Sequence, residues 1–347
     1  MRARLIPFAV IASVWLSGLD LALAQSTPQP LIQKVLSGDL TGSGDYPSTF
    51  TLGGRIWLSQ GKLAYNIQGS GGQPNVLSEL IFQGQNIPIY ELAADLAIQR
   101  FVANLSLGYG AISSKGTLQD LDWTNNNRTC TGSPIPGTVC SNTLSPSTDG
   151  QVWYVSLDVG PRLLRWKYAD QVGAADLLLG FQYWTEKYSA KGIVDISGGG
   201  ARDQPTTVTA LTETVQWISL RLGPKVAVPL FSQAELPVLT KVQLVGSLFY
   251  VPYTYYRNDD NHNLRTDLKH DPSFIDIATG EGIQMEGAAR LTLWQSLTFE
   301  AGYRYWDMKT TGGTSTAFGS NGTVSVTNLN QANARRQGVF FSLLWTF

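Results

Sequence analysis

Val339, Phe341, Leu343, Trp345 and Phe347 occupy alternate positions in the last ten residues, with Phe340, Ser342, Leu344 and Thr346 between them. Extended backbone sends successive side chains to opposite faces, so the first set makes one wholly apolar face. In water such a strand would be a hazard, because its unpaired N–H and C=O groups and its apolar face both invite another chain. A closed barrel in lipid pairs every backbone group and gives the apolar face a matching solvent. The stretch therefore predicts an all-β, antiparallel transmembrane barrel.

Composition agrees. Aromatic residues make up 11% of the chain, charged residues only 15%, and there are 35 glycines. The mean hydropathy of −0.05 is what alternating lipid-facing and lumen-facing positions average to. The amino end reads as a secretory signal: Arg2 and Arg4 precede an apolar run over 5–19, and Ala22-Leu23-Ala24 offers a small-x-small cleavage site before Gln25. Residues 1–24 are then a signal peptide, 25–47 a Ser/Pro/Gly/Gln-rich periplasmic lead-in, and 48–347 the barrel. After the signal no apolar run approaches the roughly 20 residues of a spanning helix. A net charge of −1 gives no reason to expect nucleic acid as a partner. Cys130 and Cys140, the two cysteines, lie in one polar segment, which in an exported chain predicts a local disulfide. Neither a metal nor a cofactor is expected, since a zinc site would want more ligands nearby.

Period-two alternation and turn clusters give ten strands, at about 49–67, 76–98, 102–114, 151–166, 175–192, 207–222, 239–256, 283–293, 297–310 and the tail. The outward sets include Tyr90, Leu92, Leu96 and Ile98; Trp153, Val155, Leu157 and Val159; and Leu297, Phe299, Tyr303 and Tyr305. Inward Glu91, Asp95, Asp158, Glu186, Glu300 and Arg304 predict a lumen filled with polar side chains and too narrow for a wide pore. With both termini in the periplasm, the long links 68–75, 115–150, 193–206, 257–282 and 311–334 fall on the extracellular side. A Pro-containing segment through Pro224, Pro229 and Pro237 joins the sixth and seventh strands.

Two constellations on different long links could carry chemistry. In Asp120-Leu121-Asp122-Trp123, extended backbone points both carboxylates the same way, so that they can share a proton or a water. Alone, such a motif is more often a solvated acidic turn. In Asn258-Asp259-Asp260-Asn261-His262-Asn263, Asp260 and His262 share a face, and a carboxylate there raises the basicity of the imidazole. A calcium loop fails on spacing: counting from Asp259, the sixth position is Leu264 rather than Gly and the twelfth is His270 rather than Glu. His270, the other histidine, lies between Asp267 and Asp271 and competes with His262 for the role of base.

Taken in order, Leu77-Ser78-Glu79-Leu80, Leu107-Gly108-Tyr109-Gly110, Asp120-Leu121-Asp122-Trp123, Gly180-Phe181-Gln182, Ala190-Lys191-Gly192, Asp260-Asn261-His262 and the final strand resemble the omptin family of outer-membrane endopeptidases. The resemblance spans almost the whole chain after the signal. It implies a ten-stranded barrel rising above the bacterial outer membrane, with a groove between its outer loops and a terminal Phe347 read by the barrel-assembly machinery. It further implies a catalytic set of Asp120 and Asp122 on one wall facing Asp260 and His262 on the other, a peptide or protein substrate, a dependence on lipopolysaccharide, and a monomer. Hydrolysis in such a site proceeds by activated water without an acyl-enzyme, so no Ser or Cys nucleophile is required.

The chain departs from the family where members that cut beside basic residues carry acidic pocket side chains. Asn258 stands two residues before Asp260, and the matching place on the first strand falls near Lys62. Lys187 and Lys191 are the cations available for lipopolysaccharide. These departures leave a second reading, a barrel that serves as an adhesin or surface-binding protein without cleaving, and a third, a small channel.

Overall fold

The alternation carries through as hydrogen-bonded strands. The computed structural model describes residues 48–112, 116–123, 139–168, 171–197, 203–231, 239–294 and 296–347. It contains β1 (Thr49–Ile67), β2 (Ser78–Ile98), β3 (Phe101–Ile112), β4 (Thr117–Trp123), β5 (Val139–Ser145) and β6 (Ser147–Tyr168). These are followed by β7 (Gln171–Asp195), β8 (Gln204–Phe231), β9 (Leu239–His262), β10 (Phe274–Leu293), β11 (Leu297–Phe318) and β12 (Val324–Thr346). The expected signal peptide and lead-in lie outside the described residues.

Twelve segments make ten staves. β3 and β4 pair with successive halves of β2, and β5 and β6 together pair with β7 on their other side. The break between β5 and β6 falls at Pro146, which has no N–H to give a ladder. All pairings are antiparallel, and β1 pairs with both β2 and β12, closing the ring. At the closure the Phe347 N–H donates to the Phe50 carbonyl over 2.8 Å, and the two rings stack at 5.9 Å.

Outward side chains form the apolar belt that lipid demands. Phe50, Leu52, Ile56 and Leu58 on β1, Leu220 and Leu222 on β8, and Val339, Phe341, Leu343 and Trp345 on β12 are all exposed. Past Leu58 the outward residues become Gln60 and Lys62, and past Leu220 on β8 they include Gln216, Thr214 and Thr212. The strands therefore continue well beyond the membrane at the long-loop end. Among the described residues no helix is long and apolar enough to cross a membrane.

More of this end is strand than the sequence pattern predicts. The link expected over 115–150 contains β4 and β5, β9 reaches His262, β10 begins at Phe274, and β11 and β12 meet across a tip of only 319–323. The reason is physical: above the belt the outer face meets water instead of lipid while the inner face packs small or apolar residues such as Leu329, Ala332 and Ala334, so the apolar-outward pattern of the belt is lost while the ladder goes on. β12 through Thr327, Asn328, Asn330, Gln331 and Asn333 is an example. Pro224 and Pro229 are likewise absorbed into β8, since extended backbone accommodates the fixed φ of proline and loses only one donor. Pro237 lies outside the described residues.

The lumen is layered, not uniformly polar. Nearest the short turns, Arg55, Arg290 and Arg304 interlock with Glu91, Glu286 and Glu300, three cations against three anions. Above them lies an aromatic plug: Trp306 packs against Trp57 at 5.0 Å, Tyr154 at 4.8 Å and Trp184 at 5.6 Å. Trp57 and Trp184 are fully buried. Such a plug argues against a channel. Two glycines make room for these layers: a Cβ on Gly108 would strike the Tyr154 ring, and one on Gly180 would strike Asp158 and Arg221, which bond each other at 2.7 Å. Gly180→Val is expected to destabilise the barrel by about 1–3 kcal/mol through overpacking, seen as a lower urea midpoint in detergent micelles.

Candidate active site

β4 presents the acidic pair on strand backbone, not on a loop as the sequence reading had it. Asp120 sits opposite Leu80 of β2 and Thr143 of β5, and Asp122 opposite Ser78 and Ser141. Two residues apart on one strand, their side chains share a face. Leu118 below them is buried, and the Asp120 Oδ1 atom is buried without a hydrogen-bond partner. Burial, reinforced by the neighbouring Asp122 charge, pushes the Asp120 carboxyl up to about 7 in spite of the opposing pull of His262.

The second pair ends β9, again on strand. The Asp260 residue is 3% exposed, whereas the His262 side chain keeps 19% of its surface and so opens to the mouth. His262 Nε2 lies 3.0 Å from Asp260 Oδ2. The Phe274 ring holds the imidazole edge-on at 5.2 Å, and the His262 N–H donates to Ser273 Oγ over 3.1 Å. The connection from β9 to β10 is tied down by two more bonds, Ser273 N–H to the Asp260 carbonyl at 2.8 Å and Asp271 N–H to Asn261 Oδ1 at 2.9 Å. Burial would lower the imidazole, but the Asp260 charge and hydrogen bond, with Asp120 behind them, outweigh it and raise His262 to about 9.

These two pairs belong to staves four apart around the ring, yet the charges of Asp120 and His262 act on each other, and Arg265 acts on both Asp120 and Asp122. The structure thus brings the four predicted residues to one mouth. His270 is exposed on the connection between β9 and β10, and the histidine among the carboxylates is His262.

A layer beneath the pair went unnoticed in the sequence. Glu213 of β8 stands directly across from Asp260, and both are buried. The Tyr65 hydroxyl of β1 hydrogen-bonds Glu213 Oε1 and lies 3.4 Å from Asp260 Oδ2. Asn258 Nδ2 donates to Glu213 Oε1 at 3.1 Å and to Asp276 Oδ2 at 3.3 Å. Burial, with the Asp260 charge second, pushes the Glu213 carboxyl well up. Burial likewise raises Asp276 to about 7. The available signal was Glu213 itself, a lone carboxylate in the inward series Leu211, Val215, Trp217.

Other expectations shift. Lys62 is exposed on the outer face, and the inward residue of β1 that reaches Asp260 is Tyr65. Lys62 therefore does not line the mouth. Lys191 is paired with Asp149, while Lys187 is exposed. Cys140, on β5, is not a free thiol, and Cys130 lies outside the described residues. No group of three metal-ligating side chains occurs among the described residues.

The closed ten-stave ring, apolar belt and polar, plugged lumen define an outer-membrane-type β-barrel carrying an Asp/His cluster at its long-loop mouth. No protein-family model matches the chain, and no curated protein sequence matches it. Among solved structures, the outer membrane protease OmpT from Escherichia coli superposes with a TM-score of 0.70 over 89% of this chain and 100% of that one, at 14% sequence identity. The translocator domain of the autotransporter NalP from Neisseria meningitidis aligns over all of both chains with a TM-score of only 0.35, at 12% identity. The fold of this chain is omptin-like.

Proposed function

We propose that this barrel is an endopeptidase of the bacterial outer membrane, with the Asp/His mouth facing outward and peptide or protein substrates crossing it. The observation that carries the reading is the Asp260–His262 contact of 3.0 Å at the rim, with Asp120, whose Oδ1 is buried without a partner, on a stave four away. With Nε2 held by Asp260, the other ring nitrogen, Nδ1, takes a proton from water. The resulting hydroxide attacks the scissile carbonyl carbon, Asp120 in its protonated form donates to the developing oxyanion, and His262 returns its proton to the departing amine. Asp122 helps hold the water. The likeness of fold to a protease supports the proposal, as does the plug that argues against transport. The site needs no metal or cofactor, works within one chain, and uses lipopolysaccharide as a structural partner of the outer face.

Two protonation states follow. The competent form, protonated Asp120 with neutral His262, is the minor of two one-proton forms of the pair. The one-proton state prevails between the Asp120 value of about 7 and the His262 value of about 9, with the proton mostly on His262, and the competent form is a constant fraction of it. Below about 7 both sites are protonated and the base is lost; above about 9 both are deprotonated and the oxyanion donor is lost. A bell-shaped kcat/KM profile with limbs near these values is expected, and Asp120→Asn, which supplies a donor that does not titrate and leaves His262 as the titrating member, should remove its upper limb. A flat profile across this range would contradict the assignment.

The reading is tested by refolding residues 25–347 with lipopolysaccharide and presenting a peptide library, with fragments identified by mass spectrometry. New internal termini from the wild type and not from Asp122→Ala support it. Equal cleavage by both removes the protease reading, and no cleavage by either favours a surface-binding barrel.

A further inference from the structure

Beneath the rim, side chains from opposite sides of the ring meet in a dry cluster. Glu213 and Asp260 face each other across one β8–β9 rung with residue exposures of 2% and 3%. Two carboxylates so placed cannot both be ionised in a low-dielectric site, so one proton resides on the pair. Asp260 has a cation-forming partner in His262 at 3.0 Å. Glu213 is surrounded by neutral donors: Tyr65, and Asn258 at 3.1 Å. The proton therefore belongs on Glu213, and the negative charge belongs on Asp260, beside the imidazole.

That assignment reverses one hydrogen bond. Glu213 Oε1–H donates to the Tyr65 oxygen, which frees the Tyr65 O–H to donate to Asp260 Oδ2, 3.4 Å away. The chain Glu213, Tyr65, Asp260, His262 then has one proton on every link and none missing. We infer that Tyr65 and neutral Glu213 are positioning residues: they orient the Asp260 carboxylate and limit its pull on His262, so that the imidazole can still give up its proton. The inference rests on the proposed role of His262 as base, but its geometry does not.

Other titratable groups face the same atoms and bound the effect. Tyr256 of β9, Asp276 of β10 and Tyr188 of β7 interact electrostatically with Glu213 or share its surroundings. Above, Asp120 and Arg265 act on His262. None of these hydrogen-bonds the Asp260 oxygen that holds the imidazole; Tyr65 and His262 do.

The chain has two histidines, so imidazole titration can be read without turnover. The refolded full barrel, labelled at histidine and carrying His270→Ala, leaves His262 as the sole signal for NMR titration. Tyr65→Phe removes the donor and concentrates charge on Asp260, so His262 is expected to titrate about half a unit or more higher. Glu213→Gln preserves a neutral donor and should leave the titration within about 0.2 units. If Tyr65→Phe leaves His262 unmoved, or if Glu213→Gln lowers it by half a unit because a charge was lost, the inference is overturned. Folding of each variant is checked by the gel mobility of the unheated barrel. Should the peptide assay fail for the wild type while the titrations behave as stated, the protease reading falls and the proton chain stands. Where cleavage is seen, Tyr65→Phe should lower kcat near neutral pH with KM little changed, and Glu213→Gln should retain it.

Discussion

His262→Ala is expected to lower kcat by about 10²–10⁴-fold, the range a positioned general base contributes, with the barrel still folded. The side chain is packed against Phe274 and bonded to Asp260, but it keeps 19% of its surface. Its loss leaves a void at the rim and not in the core. The control is His270→Ala, an exposed residue of the same connection, which should keep kcat within about twofold because it lies outside the cluster. Comparing the two by single-turnover cleavage of a peptide taken from the library separates base chemistry from loop integrity. Similar losses in both would move the base away from His262.

The second large effect is on stability. Arg304→Leu is expected to cost about 3–5 kcal/mol, the usual penalty for removing one partner of a buried ion network. Arg304 bonds Glu91 at 2.7 Å, Glu286 at 2.7 Å and the Tyr154 hydroxyl at 2.9 Å. Its guanidinium also lies 5.1 Å from the Trp57 ring centroid and 5.4 Å from that of Trp306. Without it the Glu91 side chain, at 0% exposure, keeps Arg55 at 3.1 Å as its remaining ion pair. Three anions would then share two cations in a lumen closed by indoles. The double variant Arg304→Leu/Glu91→Leu should recover part of the loss, because an apolar pair costs less than an orphaned charge. Urea unfolding in micelles, followed by tryptophan fluorescence, measures both. A single variant as stable as the wild type would show the network to be dispensable.

Legibility of the fold followed the solvent. Within the membrane belt, lipid on one side and lumen on the other force alternation, and the outward and inward sets of β2, β6, β7, β11 and the end of β12 could be read from residues such as Leu92 against Glu91 and Phe299 against Glu300. Above the belt lipid no longer covers the outer face, the apolar side chains such as Leu118 and Leu329 turn inward, and the belt pattern is lost, which is why β4, β5 and the upper parts of β10 and β12 passed for loop. Asp120, Asp122, Asp260 and His262 could be picked out because their period-two spacing survives whether the backbone is called strand or link. Glu213 and Tyr65 could not. Each is one inward residue among many, and they meet only because β1 and β8 face each other across a closed ring, a relation that no local pattern encodes. The same ignorance of facing strands drew attention to the neighbourhood of Lys62, whose side chain lies on the outer face, and not to Tyr65.

The most direct test is an ordered water. A high-resolution crystal structure of the refolded barrel near pH 8 should show a single water within about 2.6–3.2 Å of both His262 Nδ1 and a carboxylate oxygen of Asp120 or Asp122. An imidazole turned away from the acidic wall, or walls too far apart for one water to touch both, would contradict the account.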